Sequence, residues 1–308
     1  MARLTSEQAY KEIMEMFPLG DYEQERERAG HVTMLSEEDS FDIIEGLHYC
    51  KRRYRVGDGR EATVYLTLLS PDAKASLAVS ASPLRTIKRV KDHAAEFDKK
   101  VLFAMNASFF HFFNDGDLTP YGIQIVHGVV MAEPGHDKPQ YCTYWVGRTK
   151  DGKNVISDID GYFNTYKGKL EYAVGGGLML IKDGKMHMHA GKGGRGPRSA
   201  VAIAKDGTVI LLNCDGRSTV SCGLSNGDMI EVVTSLGHEI QDFLNLDGGG
   251  STTVVLREAD DTLAVRNVPS GPPLPVSYSK YGVEKPDPRG EEQVRCVADC
   301  LMIVADED

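Results

Sequence analysis

A run of acidic, amide and hydroxyl side chains around three glycines is the strongest chemical signal in the chain. It consists of Asn245, Leu246, Asp247, Gly248, Gly249, Gly250, Ser251, Thr252 and Thr253. Because alternate residues of a strand share a face, we expect Asn245 and Asp247 on the same side. Glycines let backbone N–H groups approach an anion, and hydroxyls can donate to phosphate or sugar oxygens. The run lacks the Gly-Lys-Ser/Thr ending of a P-loop, and a plain glycine turn is the alternative interpretation.

Two arginines bracket a predicted β-hairpin. Arg198 directly precedes it, its turn lies at residues 205–207, and Asp215 and Arg217 follow it. Because a hairpin returns to the end at which it starts, we expect both arginines at the same end of the sheet. Guanidinium groups bind phosphate through paired hydrogen bonds, so two of them are suited to a phosphodiester. The alternative is that they form ion pairs with Asp215 or Asp247.

An amide and aromatic side chains follow the apolar strand that we predict at residues 100–105. Asn106 and Phe109 lie at its end, His111 follows them, and Thr119 lies just downstream. An amide can bond sugar hydroxyls while an aromatic ring covers the apolar face of a sugar. Phe109 also suits the hydrophobic core. His111 is the histidine best placed for chemistry.

A second glycine run precedes another predicted hairpin. Gly176 and Gly177 in this run either line the pocket or allow two backbone segments to pack closely. His187 and His189 alternate along the next predicted strand, but the sequence places no third ligand beside them. We therefore predict neither a metal site nor a cofactor.

The overall charge excludes broad binding to nucleic acid or membranes. The 308 residues carry a formal net charge of −10, with 41% hydrophobic and 26% charged residues. Such an acidic surface repels anionic polymers, so any anionic substrate must meet a local basic pocket. The N-terminus shows no apolar run typical of a signal peptide, and no stretch of about 18 apolar residues occurs. We predict a cytoplasmic protein with a small-molecule or glycan substrate, and a homo-oligomer remains open.

The pattern of strands and turns predicts an α+β fold. Alternating segments joined by Asp-Gly turns predict hairpins at residues 174–189 and 199–213, and an amphipathic segment predicts a helix at 226–236. Repeated βα units are missing from this pattern, which argues against a doubly wound parallel sheet. We expect mixed, mainly antiparallel sheets with flanking helices.

The N-terminal segment has a helical pattern of apolar residues, whereas strand patterns dominate the rest of the chain. Apolar residues recur at helical spacing over residues 5–17 and 35–48, which predicts a helical appendage at residues 1–50. The catalytic domain would then cover residues 51–308. Six cysteines are present without a CxxC pair, and we interpret them as mostly buried thiols rather than disulfides.

In their order along the chain, the candidate residues resemble the phosphodiester glycosidase family. The matching segments are Asn106 with Phe109-Phe110, Thr119-Pro120, Gly175-Gly176-Gly177-Leu178, Arg198-Ser199-Ala200, Asp215-Gly216-Arg217 and the run from Asn245 to Thr252. The resemblance covers roughly residues 55–305. It implies hydrolysis of the sugar C1–O bond in a glycosyl phosphodiester, such as an N-acetylglucosamine 1-phosphodiester, to free sugar and a phosphomonoester.

We hypothesise four catalytic residues from this resemblance. Arg198 and Arg217 would hold the phosphate and stabilise the charge that develops on departure. Asp247 would act as nucleophile or as base for water, and Asp215 as an acid/base or as the group that orients Arg217. The expected substrate-binding residues are Asn106, Phe109, His111, Thr119, Gly176, Gly177, Asn245, Gly248, Gly249, Ser251 and Thr252.

Two other functions fit the same residues. The protein could be an exo-acting α-glycosidase on unphosphorylated glycosides, with its arginines bound to a carboxylate or to sugar hydroxyls. It could instead be a carbohydrate- or nucleotide-sugar-binding protein without turnover, which sugars would stabilise thermally without forming product.

Overall fold

β-strands are the dominant regular structure of the described residues. The computed structural model describes residues 30–82, 87–112, 118–134, 143–187, 194–270 and 294–306. Its strands are β1 (Thr33–Ile44), β2 (Leu47–Arg55), β3 (Glu61–Leu69), β4 (Ala75–Ala81), β5 (Val101–Asn106), β6 (Phe110–Phe112), β7 (Leu118–Pro120), β8 (Gln124–Val126), β9 (Val129–Ala132), β10 (Tyr144–Thr149), β11 (Asn154–Asp158), β12 (Leu170–Gly175), β13 (Met179–Lys182), β14 (Lys185–Met186), β15 (Arg198–Ala204), β16 (Val209–Cys214), β17 (Ile240–Asn245), β18 (Val254–Arg257), β19 (Leu263–Val265) and β20 (Asp299–Ala305). The helices are α1 (Val90–Ala95), α2 (Ile159–Gly161), which continues into a π-helical turn over Tyr162–Tyr166, and α3 (Asn226–Thr234).

The strands form three larger sheets and one small hairpin. The eight-stranded sheet has the order β1-β2-β3-β16-β15-β17-β13-β14. Two five-stranded sheets have the orders β11-β10-β12-β8-β9 and β19-β18-β5-β20-β4, and β6 pairs with β7. The registered strand pairs are antiparallel. The α+β class with mainly antiparallel sheets is therefore confirmed.

A buried hydrophobic core lies between the eight-stranded sheet and the two smaller sheets. Val201, Leu211 and Leu244 project into it from the large sheet, and Phe103 and Met302 face them from the sheet that contains β5 and β20. The opposite face of the large sheet packs against α3, whose Met229 and Val233 belong to a second cluster. Ser225 and Asp228 close the start of α3 with a capping box, in which each side chain bonds the other residue's backbone N–H.

Both predicted hairpins form where the turn chemistry requires them. The turn between β13 and β14 places Asp183 at φ 51° and Gly184 at φ 73°, which is the left-handed pair that a tight hairpin needs. The hairpin of β15 and β16 begins with Arg198 opposite Cys214. The predicted strand over 174–181 is split at Gly176-Gly177, however, because β12 and β13 belong to different sheets.

The predicted N-terminal helical appendage is wrong over its described part. Residues 35–48 lie in β1 and β2, which form a hairpin at the edge of the eight-stranded sheet. Strand alternation buries Leu47 and Tyr49, and Arg52 Nε donates to Glu37 Oε2 across the pair at 2.6 Å. These cross-strand contacts outweigh the local helical spacing. The helix predicted at residues 5–17 lies outside the described residues.

The described cysteines are free, and the described helices do not meet the requirements for crossing a membrane. Cys50, Cys214, Cys222, Cys296 and Cys300 are free thiols, and Cys142 lies outside the described ranges. Within those ranges, none of the helices has the length and hydropathy needed to cross a bilayer.

His93 in α1 is a buried titratable group of the core. Its Nδ1 lies 3.0 Å from Ser80 Oγ, and its Nε2 lies 3.3 Å from the Val297 carbonyl oxygen. Burial lowers the pKa of His93 to about 4. The imidazole is therefore neutral in the folded protein at physiological pH, when Nε2 can donate to the carbonyl and Nδ1 can accept from the serine.

We predict that His93 makes the fold sensitive to acid. The unfolded chain, with a histidine pKa of about 6.5, binds more protons than the folded chain as the pH falls towards the folded pKa of about 4. The free energy of unfolding should therefore fall across this window, by roughly 3 kcal/mol from this residue alone. Urea unfolding followed by fluorescence of Trp145, the single tryptophan, measures it in wild type and His93→Gln. The stability gap between the two proteins should shrink on acidification, and parallel losses would contradict the prediction.

Candidate active site

Strand ends from different sheets converge on one region. β5 ends at Asn106, and Cys300 near the start of β20 lies opposite it. In the large sheet, β15 begins at Arg198 and its neighbour β17 ends at Asn245, which lies opposite Ala200. The glycine run leaves β17 and returns into β18, whose Val254 pairs with β5. The antiparallel registers thus bring together residues that are far apart in sequence.

The amide of Asn106 connects these strand ends. Its Oδ1 accepts hydrogen bonds from Ser199 Oγ at 2.8 Å and from the Thr253 N–H at 3.2 Å. Its Nδ2 donates to the Asp247 carbonyl oxygen at 2.5 Å. Asn213 Nδ2 donates a hydrogen bond to Ser199 Oγ at 3.0 Å. Asn106 is fully buried, so these contacts make it a residue that positions the glycine run rather than one exposed to a sugar.

Asp247 is held by its backbone while its carboxylate stays half-buried. Its N–H donates to the Ala107 carbonyl oxygen at 2.9 Å, and its Oδ1 accepts the Gly248 N–H at 2.9 Å. Burial raises the pKa of Asp247 to about 6, and the charge of Asp299 acts in the same direction. The Ser251 hydroxyl beside the carboxylate is the largest of the influences that lower this pKa. A carboxylate with a raised pKa in a fixed position is suited to proton transfer.

Asp299 is the second carboxylate of the region, and the sequence analysis missed it. Its side chain is fully buried at the start of β20 and accepts the Ser108 N–H at 2.7 Å and the Ser108 Oγ–H at 2.5 Å. Gln124 Nε2 donates to the same carboxylate. These bonds fix the turn after Asn106, and that turn holds the Asp247 backbone. Asp299 therefore positions Asp247 and adds negative charge beside it.

Arg198 and Arg217 lie near each other without a carboxylate partner. Arg198 is half-buried, and it donates from Nε to the Leu224 carbonyl oxygen and from Nη2 to the Gly194 carbonyl oxygen. Burial and the nearby charge of Arg217 lower the pKa of Arg198. Within the described ranges, no Asp or Glu forms an ion pair with either guanidinium. The alternative that Asp215 or Asp247 neutralises them is not seen in the structure.

The glycine run passes directly under these arginines. A Cβ on Gly249 would lie 3.1 Å from Arg217 Nη2, and one on Gly248 would lie 2.7 Å from the Pro197 carbonyl oxygen. Gly249 also has φ 61° and opens a 3-10 turn over Gly249–Ser251. The positive φ of Gly249 and the backbone oxygen beside Gly248 are therefore the constraints that favour glycine at these two positions.

Several buried polar atoms around the run lack hydrogen-bond partners among the described residues. They are Asn245 Oδ1, Thr252 Oγ1, Asn213 Oδ1 and Arg295 Nε. Arg295 was also missed by the sequence analysis, and its positive charge acts on Asp247. Unpaired buried polar atoms are costly, which is consistent with a region prepared for a polar ligand.

The second glycine run supports the site by packing. A Cβ on Gly176 would lie 2.5 Å from Leu244 Cδ2, and a Cβ on Gly177 would lie 2.7 Å from Phe109 Cε2. The Gly177 position also lies 3.3 Å from Asn245 Nδ2. Close backbone packing explains Gly176, whereas Gly177 lets Phe109 and Asn245 approach each other beside the site.

Asp215 lies at the base of the glycine run. Its buried carboxylate accepts hydrogen bonds from Tyr65 Oη at 2.7 Å, from Asn267 Nδ2 at 3.0 Å and from the Val268 N–H at 3.1 Å. Asn267 also donates to the Thr252 carbonyl oxygen. Burial raises the pKa of Asp215. These contacts anchor the run, and the acid/base role of Asp215 stays a prediction.

The remaining predicted residues lie at the small hairpin. His111 on β6 is opposite Thr119 on β7, and their side chains lie outside the described part of the structure. In the ranges that are described, no three His, Cys, Asp or Glu side chains are grouped so that they could hold a metal ion.

Solved structures share this architecture. The zebrafish N-acetylglucosamine-1-phosphodiester α-N-acetylglucosaminidase catalytic domain, auto-inhibited by its pro-peptide, matches with a TM-score of 0.60 and 18% identity over 94% of this chain and 95% of that chain. A hypothetical protein from Synechocystis matches with a TM-score of 0.56 and 15% identity over 86% of this chain and 63% of that chain. At these identities the similarity shows a common fold.

Sequence comparisons give the family. The SPbeta prophage-derived uncharacterized protein YomE of Bacillus subtilis (strain 168) is 31% identical over 166 residues, which are 50% of this chain and 24% of that protein. This chain therefore spans only about a quarter of the curated relative. The phosphodiester glycosidase family matches residues 99–283, more than half of the chain, and this range includes the residues from Asn106 to Thr252. The chain belongs to the phosphodiester glycosidase family.

Proposed function

We propose that the protein hydrolyses the sugar C1–O bond of a glycosyl phosphodiester and releases free sugar and a phosphomonoester. The observation that carries this proposal is the pair Arg198 and Arg217, which lies without a carboxylate partner against the glycine run that bears Asp247. Two such guanidinium groups favour a phosphate, and the adjacent carboxylate can act at the sugar. N-acetylglucosamine is the first sugar to test, because the zebrafish enzyme of similar fold is named for it.

The reaction needs one carboxylate and a stabilised leaving group. Water attacks C1 as the bond from C1 to the phosphate oxygen breaks, and the oxygen keeps the bonding electrons. Asp247 accepts a proton from the attacking water. Arg198 and Arg217 stabilise the negative charge that grows on the leaving phosphate. A phosphomonoester leaves readily, so no strong general acid is needed on that side.

The surroundings of Asp247 suit this role as a base. Burial raises its pKa to about 6, which brings its basicity closer to neutral pH while leaving it mostly ionised there. Asn245 and Thr252 supply buried polar atoms without partners in the described structure, and these can bind the sugar or the phosphate. Phe109, half-buried over Gly177, offers an aromatic edge at the sugar side.

The first experiment compares products from several substrate classes. Purified protein is incubated with sugar 1-phosphodiesters of N-acetylglucosamine, glucose and galactose, and with the corresponding plain α- and β-glycosides. Free sugar plus phosphomonoester is expected from a phosphodiester only. Cleavage of plain glycosides alone would replace the proposal with a general glycosidase. Nuclear magnetic resonance of the first-formed anomer tests the base role, because direct attack of water inverts C1 and a covalent intermediate on Asp247 would retain it.

We predict that Asp247→Asn loses activity but gains stability. Removing the base should lower kcat by roughly 10³-fold. The folded pKa of Asp247, about 6, lies above that of an unfolded aspartate, so ionisation costs the fold stability increasingly as the pH rises through this window. The variant's advantage in thermal stability should therefore grow from acidic to neutral pH. Near wild-type turnover, or a stability advantage independent of pH, would contradict the assignment.

We predict that Arg198→Met and Arg217→Gln weaken phosphate binding. Each loses a guanidinium group without breaking an ion pair in the described structure, so kcat/KM should fall by roughly 10²–10³-fold. Inhibition by inorganic phosphate should weaken in parallel. Arg148→Gln on β10, in another sheet, is the matched control and should leave both measurements unchanged. Equal effects of all three substitutions would point to a general loss of charge.

We predict that Asp299 acts on catalysis through Asp247. Its negative charge raises the pKa of Asp247, so Asp299→Asn should move the acid limb of the kcat/KM profile to lower pH. The rate on the plateau should also fall, by roughly 10-fold, because the Ser108 turn loses an acceptor. Ser108→Ala removes one donor and keeps the charge, so its acid limb should stay in place. A purely structural role for Asp299 would lower the plateau without moving the limb.

A further inference from the structure

We propose that an arginine-lined cleft beside the candidate site binds the leaving-group side of the substrate, and that this side carries a second anionic group such as a phosphate. The inference rests on the proposed function, since it places the leaving phosphomonoester between Arg198 and the cleft. It goes beyond that function because it specifies the chemical class of the part of the substrate that is not the sugar.

The cleft is an open cavity of about 760 Å³ on the surface of the large sheet. Four arginines, one carboxylate and two hydroxyl residues are among the residues that line it: Arg53, Arg60, Arg195, Arg217, Glu61, Ser218 and Thr219. Guanidinium groups with neighbouring hydroxyl donors are the side chains that bind phosphate oxygens most effectively. Its openness to solvent suits an extended substrate rather than an enclosed small molecule.

The cleft and the candidate site share a wall. Arg217 lines the cleft, and its guanidinium also lies against Gly249 of the glycine run. The segment 194–198 runs along the boundary, with Arg195 facing the cleft and Arg198 beside the run. This segment is fixed by the bridge between Gly196 and Leu224. A substrate with its scissile phosphate at Arg198 and Arg217 would therefore extend directly into the cleft.

The charges of the cleft leave a positive excess. Asp58 is shared by Arg60 and Arg195, whose nitrogens each lie 2.7 Å from its Oδ2. Arg195 also contacts Asp228, and Arg53 pairs with Glu61. These carboxylates balance three arginines, and Arg217 remains without a carboxylate partner within the described ranges.

This local excess stands out against the rest of the chain, which carries a formal net charge of −10. An acidic protein repels an anionic substrate over most of its surface, so a positive cleft beside the site guides such a substrate to one place. The ion pairs also hold the guanidinium groups in position. Arg60 remains accessible, with 61% of its side chain exposed.

The test compares two substrates that differ only beyond the scissile phosphate. One is an N-acetylglucosamine 1-phosphodiester with an uncharged methyl group, and the other carries a phosphorylated alkyl group of matched length. Wild-type protein should cleave the phosphorylated substrate with a kcat/KM at least about 10-fold higher, corresponding to about 1.4 kcal/mol. This preference should shrink as salt is added, because exposed charges are screened.

Arg60→Gln separates the cleft from the catalytic residues. The variant should lose most of the preference for the phosphorylated substrate while cleaving the methyl substrate at the wild-type rate. Arg60→Lys should keep an intermediate preference, because it retains charge without the planar fork. Arg148→Gln serves again as the control and should change neither rate. Equal kcat/KM values for the two substrates in wild type, or a preference unaffected by Arg60→Gln, would overturn the inference.

A binding measurement keeps the inference independent of turnover. Calorimetry with tripolyphosphate should give an affinity that Arg60→Gln lowers by roughly 5- to 10-fold, whereas inorganic phosphate should bind both proteins equally. If the methyl phosphodiester is cleaved but Arg60→Gln leaves the affinity for tripolyphosphate unchanged, the cleft proposal fails and the proposed function stands. If no phosphodiester is cleaved but Arg60 controls tripolyphosphate binding, the proposed function fails and the anion cleft stands.

Discussion

The candidate site depends on the hydrogen bonds of the buried Asn106 amide. It extends from β5 in one sheet, accepts from Ser199 in the eight-stranded sheet, and donates to the backbone of Asp247. Only a side chain that donates and accepts at the same time can make these bonds. A carboxylate could not donate to the Asp247 carbonyl oxygen, and an apolar residue would leave Ser199 and the Thr253 N–H unpaired at a cost of about 1–3 kcal/mol each. The amide therefore sets the distance between the two sheets at the site.

The hydrogen bonds of Asn106 hold Asp247 in a partly buried position, where burial opposes ionisation of its carboxylate. Asp247 is half-buried with a pKa raised to about 6, and the nearby Arg295 does not form an ion pair with it in the described structure. A direct salt bridge would stabilise the charge and lower the basicity of the carboxylate. Backbone hydrogen bonds hold Asp247 in place, so its carboxylate needs no ion pair to fix its position. The site thus gives up stability for reactivity, as active sites commonly do.

The sequence was sufficient to predict those features of the site that depend on a few neighbouring residues. The Asp183-Gly184 turn follows from two residues that tolerate positive φ, and the shared location of Arg198 and Arg217 follows from a hairpin returning to its starting end. The glycine run could be recognised because glycine suits a positive φ, as at Gly249, and a close backbone contact, as at Gly248. The N-terminal segment was mispredicted because its apolar spacing fits a helix as well as a strand. Cross-strand contacts such as the one from Arg52 to Glu37 favour the strand over the helix.

The carboxylates show why the rest could not be predicted. Asp215 stands beside Arg217 in sequence, yet Tyr65 and Asn267 enclose it, and both partners come from distant segments. Asp299 lies 191 residues from Ser108 in sequence, and only the register that sets Cys300 opposite Asn106 brings its side chain to the turn. It also lies beyond residue 283, where the family match ends. Since β20 lies between β5 and β4, the strand that completes this sheet also supplies the negative charge beside Asp247. The candidate site is therefore complete only when β20 is paired with β5.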